Sequence, residues 1–96
     1  MTITEQIIQR SIILHLESRD WYVVKVVSAS RAGIPDLICC TPKGVFVGIE
    51  VKKEYNKPSK LQEHNLGEIR KRKGVAFSCR SLEELKEYLK NGMENF

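Results

Sequence analysis

The sequence predicts a small α/β fold, with a mixed β-sheet flanked by helices in the order αβββαβα. Apolar residues at helical spacing open the chain, and three short segments rich in β-branched residues follow them. A fourth apolar segment comes after a polar helical stretch, so it can pair in parallel with an earlier strand through a right-handed crossover. The 96 residues correspond in length to one domain, which we expect to span residues 1–96.

Three helices are predicted from the signals at their ends. The first covers about residues 3–18 and opens with Thr2–Glu5, which fits the Ser/Thr-x-x-Glu capping box. The second opens with a similar box at Ser59–Gln62 and ends at Gly74, because glycine commonly terminates helices. The third opens with Ser81–Glu84, and its leucines recur on one face as an apolar stripe.

Four strands are predicted between these helices, over residues 21–27, 34–41, 45–53 and 75–79. The turn at Pro42–Gly44 joins the second and third strands as a hairpin. The first three strands should therefore form an antiparallel meander, and the fourth should pair in parallel.

Composition excludes several classes of protein. The hydrophobic fraction of 42% and the charged fraction of 29% are unlike those of a disordered chain. No apolar run approaches a membrane span, and no signal peptide is recognisable. The three cysteines are odd in number and two are adjacent, so a disulfide framework is a poor interpretation. We expect a reduced, intracellular (cytoplasmic) protein without a membrane partner.

Positive charge is concentrated in the middle of the chain. Residues 51–80 carry nine basic and three acidic side chains, which gives this segment a net charge of +6. Such a segment fits a polyanionic partner, most often nucleic acid. A solvated, charged helix fits the same pattern equally well, so charge alone leaves both interpretations open.

Two acids and a lysine converge on the predicted hairpin. If the hairpin turns near residue 43, Asp36 lies opposite Glu50. Because side chains alternate between the two faces of a strand, Lys52 lies on the same face as Glu50. Two facing carboxylates repel unless a cation lies between them, and Mg²⁺ favours one or two carboxylates with additional oxygen ligands. The backbone carbonyl of Val51 could complete such a metal site. Each acid alone would be read as a solvated strand residue, but the convergence of all three favours hydrolysis of a phosphodiester.

The motifs around these residues resemble a known nuclease family. Gly33–Asp36 followed by Ile49–Lys52 matches the PD-(D/E)xK nuclease pattern and, more narrowly, is similar to the VRR-NUC (virus-type replication-repair nuclease) domain. Glu5 on the first helix and Gln62 at the start of the second correspond to further positions of that pattern. The resemblance covers about residues 3–90 and is to stand-alone, phage-type members, which resemble Holliday junction resolvases and are expected to be dimers.

The resemblance implies a role for each matching residue. It implies a restriction-endonuclease-like core in which Asp36 and Glu50 are metal ligands and Lys52 is the catalytic lysine. Glu5 would be an outer acid near the metal, although its place in a capping box explains it equally well. Gln62 could orient a water or a phosphate near Lys52, or could serve only as a cap partner of Ser59.

The resulting hypothesis is a Mg²⁺- or Mn²⁺-dependent DNA endonuclease, selective for junctions or other branched DNA and dimeric. Two rivals remain: a non-catalytic DNA-binding module on the same fold, and a protein-interaction domain whose basic helix meets an acidic partner. Six basic residues are candidate contacts to the DNA backbone: Arg31, Lys53, Lys57, Lys60, Arg70 and Arg72.

Overall fold

The computed structural model describes residues 3–92 and has the predicted αβββαβα order. Within this range, no helix is both long and apolar enough to cross a membrane. The elements are α1 (Glu5–Ser18), β1 (Tyr22–Lys25), β2 (Leu37–Cys40), β3 (Phe46–Val51), α2 (Lys60–Lys71), β4 (Val75–Cys79) and α3 (Leu82–Gly92).

The four strands form one mixed sheet in the order β1-β2-β3-β4. The first three strands are antiparallel neighbours, and β4 pairs in parallel with β3 after the α2 crossover, as predicted. In the hairpin, Leu37 lies opposite Ile49 and Cys40 lies opposite Phe46. The hairpin register is therefore the one that the turn at Pro42–Gly44 predicted.

The two faces of the sheet are covered differently. On one face, alternate strand residues join the buried stripes of α1 and α3 to form the main core, which includes Ile12, Leu16, Ile49 and Leu85. On the other face, α2 packs only over β3 and β4. In the described part of the chain no helix covers the first two strands on that face, and Tyr22 and Val24 are exposed there.

The strands are shorter than predicted because the backbone groups at their ends do not all form hydrogen bonds between strands. The Trp21 N–H donates to the carbonyl of Leu16 at the end of α1 rather than to a strand. Pro35 has no N–H to donate, and β2 begins only at Leu37. Asp36 therefore lies just before β2, not inside it, and Lys52 lies just beyond β3.

Two predicted helix ends are also corrected. The N-cap of α1 is Thr4, whose side chain accepts from the Ile7 N–H at 3.2 Å, whereas the predicted cap Thr2 lies outside the described residues. At the end of α2, Lys73 and not Gly74 adopts the left-handed conformation, with φ of 71°. Gly74 is needed for space instead, because a Cβ there would approach Ile69 Cγ2 to 2.6 Å.

Gly33 allows the loop before Asp36 to pack closely on α2. Its φ is +79°, and a Cβ there would lie 2.7 Å from Leu61 Cγ and 3.2 Å from the Leu61 backbone. The neighbouring Ala32 carbonyl accepts a hydrogen bond from Asn65 Nδ2 at 3.1 Å. The loop that carries Asp36 is thus attached to the helix that carries Gln62.

We expect Gly33→Ala to destabilise the protein by roughly 1–3 kcal/mol, the usual cost of a left-handed non-glycine residue. At this chain length each kcal/mol lowers Tm by roughly 4–8 °C, which calorimetry will measure. Gly67→Ala is the matched control, because a Cβ at Gly67 meets nothing within 4 Å and a helical Gly→Ala change gains roughly 0.5–1 kcal/mol. A stable Gly33→Ala protein would contradict the packing argument.

Candidate active site

Asp36 and Glu50 lie side by side at the carboxyl end of β3. Continuing the register by one pair beyond Leu37 and Ile49 places these two acids directly opposite each other. Asp36 Oδ2 accepts from the N–H of Val51, the residue after Glu50, at 2.8 Å. The predicted juxtaposition of the two acids is thereby confirmed.

Glu50 is a buried carboxyl group with unused hydrogen-bonding capacity. Its side chain is only 2% exposed, and among the described residues its Oε1 atom has no hydrogen-bond partner. Burial raises the pKa of Glu50 from 4.5 to about 8, and the proximity of Asp36 and the charge of Glu5 add to the increase, against the opposing charge of Lys52. Burial and the neighbouring acids thus favour the neutral form of this carboxyl group when no cation is bound.

Asp36 and Lys52 are each attached to the end of β3. The Val51 N–H donates to Asp36 Oδ2 at 2.8 Å, while the Val51 side chain points into the core on the opposite face. The Lys52 Nζ atom lies 3.8 Å from Glu50 Oε2, and the Lys52 side chain is largely buried, with 18% exposed. The backbone of Lys52 is held by its N–H, which donates to the Cys79 carbonyl. One face of the sheet thus carries two carboxylates and one ammonium group.

Gln62 uses the two ends of its amide for two different purposes. Its Oε1 accepts from the Ser59 N–H at 2.8 Å, and the Ser59 hydroxyl accepts from the Gln62 N–H, so the capping box is complete. Its Nε2 donates to Glu50 Oε2 at 3.1 Å. Gln62 is therefore the cap partner of Ser59 and also contacts the acid pair, while its proposed role toward a water or a phosphate stays a prediction.

The two functions of Gln62 can be separated by mutation. Ser59→Ala and Gln62→Ala should each cost roughly 0.5–2 kcal/mol of stability, because each breaks the cap. Only Gln62→Ala removes the hydrogen bond to Glu50, so only this variant should also change the pH dependence of stability. Thermal unfolding of both variants across pH 4–9 measures the difference, and identical profiles would reduce Gln62 to a cap residue.

Glu5 reaches the same end of the sheet from α1, on the opposite face. Its Oε2 accepts from the Lys53 N–H at 3.2 Å. Thr4 is the N-cap, so Glu5 is the first residue of the helix. Glu5 is therefore not the glutamate of the predicted capping box that begins at Thr2. Its charge contributes to the raised pKa of Glu50, which places it in the electrostatic surroundings of the acid pair.

The basic candidates occupy different environments. Lys53, Lys57 and Lys60 are exposed around the end of β3 and the start of α2, and Arg31 is exposed on the loop before β2. Arg70 donates from Nε to the Ala76 carbonyl at 2.8 Å, and Arg72 is paired with Glu68 at 3.1 Å. The last two arginines therefore also hold structure.

Sequence reasoning missed one residue that positions the site. Asn65 is buried, and its Nδ2 donates to the carbonyls of Leu61 and Ala32. It thereby connects α2 to the loop that carries Asp36. A signal was present, because an asparagine next to Leu66 on the packed side of an otherwise polar helix needs a hydrogen-bond partner.

The acid pair fits a hard divalent cation in its chemistry. Mg²⁺ is commonly held by one or two carboxylates together with other oxygen ligands and water. The unpaired Oε1 of Glu50 leaves a buried oxygen available for such an ion. Within residues 3–92, no group of three or more His, Cys, Asp or Glu side chains is arranged to hold a metal, so any site here would rely on two carboxylates.

Comparisons with known proteins agree with the motifs. No protein-family model matches the chain, and no curated protein matches it. A solved structure described as "VRR_NUC domain" matches with a TM-score of 0.82 and 28% sequence identity, covering 92% of this chain and 96% of that chain. Over most of its length this chain is therefore similar in fold to a VRR_NUC domain, as the order of its motifs predicted.

Proposed function

We propose that this protein is a divalent-metal-dependent nuclease that hydrolyses phosphodiester bonds in DNA. The observation that carries the proposal is the convergence of Asp36, Glu50 and Lys52 on one face of the sheet, with Glu50 buried. The similarity to a solved VRR_NUC domain supports the same class of activity. A buried acid next to a second acid also has no evident structural advantage, because burying charge without a partner is costly.

Asp36, Glu50 and the backbone carbonyl of Val51 would hold the cation, Mg²⁺ or Mn²⁺. When bound, such an ion supplies a Lewis acid that lowers the pKa of water and offsets charge on the phosphate. The Val51 N–H fixes Asp36 through Oδ2, and the Gln62 amide fixes Glu50 through Oε2. Each carboxylate consequently keeps its other oxygen free for the ion.

Lys52 would act directly on the reacting groups. Its ammonium group lies at the edge of the acid pair and retains a solvent-accessible fraction. From there it can donate hydrogen bonds to the attacking water or to a non-bridging phosphate oxygen as charge develops. Glu5 would act from outside this group, through its charge and its contact with the Lys53 backbone.

DNA is the proposed substrate because basic residues surround the acid pair. Lys53, Lys57, Lys60 and Arg31 would contact backbone phosphates, with Arg70 and Arg72 as secondary contacts. We further propose selectivity for branched DNA and a symmetric homodimer, since a dimer would present two sites to two strands.

The test is a cleavage assay on labelled duplex, flap and four-way-junction DNA, with Mg²⁺, Mn²⁺ or EDTA. Asp36→Asn, purified identically, should remove the products while leaving DNA binding measurable at low salt. Binding without cleavage under every metal condition would instead support the DNA-binding module. Absence of DNA affinity at low salt would overturn the proposal.

A further inference from the structure

A cavity adjoins the proposed active site on the half of the sheet that α2 leaves uncovered. Its volume is about 660 Å³, which lies within the range of small-molecule sites. Its walls are largely apolar and include Ile34, Pro35, Ile38, Phe46 and Ile69. Polar side chains also line it: Arg31 from the loop before β2, and Asn65, Glu68 and Arg72 from α2. An apolar interior combined with guanidinium groups suits a ligand that has a flat apolar part and an anionic part.

Phe46 is the aromatic residue of this cavity. It is 45% exposed, although it is a large hydrophobic residue at the start of β3. Every second residue of a strand lies on the same face, so residues 46, 48 and 50 share one face and the Phe46 ring lies on the face that carries Glu50. An exposed ring on an open sheet is the kind of surface on which unpaired bases stack.

The cavity and the acid pair are built from the same segments. Pro35 lines the cavity and directly precedes Asp36. Gly48 lies between Phe46 and Glu50, and a Cβ there would come within 2.8 Å of Ile69 Cδ1 and 3.2 Å of Pro35 Cγ. Phe46 and Glu50 are four residues apart on β3, so about 13 Å of strand separates the ring from the acid pair on the same face of the sheet.

Arg72 and Glu68 pair with each other at the cavity, so the positive charge that favours an anionic ligand there comes from Arg31. Arg31 is exposed on the loop before β2 and, within residues 3–92, makes no side-chain hydrogen bond or ion pair. Its guanidinium group is therefore available for a phosphate, to which its geometry is suited. Arg72 remains exposed although it is paired with Glu68.

We propose that this cavity binds an unpaired nucleobase of the DNA strand, on the face of the sheet that carries the acid pair. The base stacks on Phe46, and Arg31 contacts the phosphate of the same strand. The inference rests on the proposed nuclease function and deepens it, because a subsite for an unpaired base selects branched or bulged DNA over perfect duplex. Stacking tolerates any base, so the selectivity is for structure rather than for sequence.

The test measures binding in EDTA, separately from cleavage. Two duplexes differ only in whether a fluorescent 2-aminopurine is paired or is an unpaired single-base bulge. Wild-type protein should prefer the bulged duplex and change the fluorescence of its 2-aminopurine. Phe46→Leu keeps apolar volume but removes the ring, so it should reduce the preference by about 5- to 150-fold, the range reported for stacking of one base.

Two further variants complete the design. Phe46→Trp keeps an aromatic surface and should retain the preference. Tyr55→Asn removes another exposed aromatic residue that does not line the cavity, and asparagine tolerates its φ of 68°. It should leave the preference unchanged. Circular dichroism and thermal unfolding of each variant establish that the fold is retained.

The outcomes separate this inference from the proposed function. Loss of the preference in Phe46→Leu supports the base site even if no metal produces cleavage. Metal-dependent cleavage with an unchanged preference in Phe46→Leu overturns the base site and leaves the nuclease intact. If Phe46→Leu changed the sedimentation of the protein and left its preference for the bulged duplex unchanged, this face would be a self-association surface. That result would also overturn the base site.

Discussion

Glu50→Gln should stabilise the metal-free protein at pH 8 and remove its response to divalent metal. The glutamine amide mimics the protonated acid: its NH₂ group can donate to Asp36, and its oxygen can accept from Gln62. In the wild type, the folded protein retains a proton that the unfolded chain has already released, because burial raises the pKa from 4.5 to about 8. The free energy of unfolding therefore falls as the pH rises between these two values, by an amount on the order of a few kcal/mol.

The variant lacks this loss, so the stability difference between Glu50→Gln and wild type should grow from pH 4.5 to pH 8. Thermal unfolding in EDTA measures it. Addition of Mg²⁺ or Mn²⁺ should raise the wild-type Tm, since an ion that binds only the folded state stabilises it by roughly 2.7 kcal/mol at 100 times its Kd. The variant should show little increase.

Glu17→Gln is the matched control for this experiment. It changes the same chemical group at an exposed position on α1, so its stability should follow the wild-type pH profile and its Tm should rise with metal. Equal metal-induced stabilisation of Glu50→Gln and the wild type would remove Glu50 from the proposed metal site.

Lys52→Met should abolish most DNA cleavage while DNA binding persists. Methionine retains an unbranched apolar side chain in the partly buried position but cannot donate hydrogen bonds to water or phosphate. Loss of one preorganised electrostatic group at a reacting centre typically costs roughly 10²- to 10³-fold in kcat. Single-turnover cleavage at saturating DNA measures this change separately from affinity.

The control for charge is Lys43→Met, in the exposed hairpin turn. It removes the same charge at a distance from the acid pair, so its kcat should match that of the wild type. If Lys52→Met cleaved DNA as fast as Lys43→Met, Lys52 would have no direct part in the chemistry.

The strands that carry the acid pair were predictable because local rules determine their register. A tight turn at Pro42–Gly44 sets which residues face each other, and the strand period of two then places Asp36 opposite Glu50. The same register also places the two acids on the same face of the sheet. The helix ends were less predictable, since Thr2 and Thr4 are chemically equivalent caps and the sequence does not distinguish them.

The surroundings of Glu50 depended on long-range packing. Its raised pKa results from burial under α2 together with the nearby Asp36, and neither the depth of burial nor the unpaired Oε1 follows from strand periodicity. Likewise, the local sequence shows Asn65 only as a polar residue on a polar helix. Its hydrogen bond to the Ala32 carbonyl forms only when the loop before β2 packs against α2.

The sequence by itself determined the element order, the hairpin register and the identity of the acid–lysine group, because periodicity, turn chemistry and motif spacing act over a few residues. Only the tertiary structure decided that Gln62 serves both its cap and Glu50, and that the sheet beside the acids stays open around Phe46. These features depend on where α2 packs across the sheet, and that position is set by contacts between residues that are far apart in the chain.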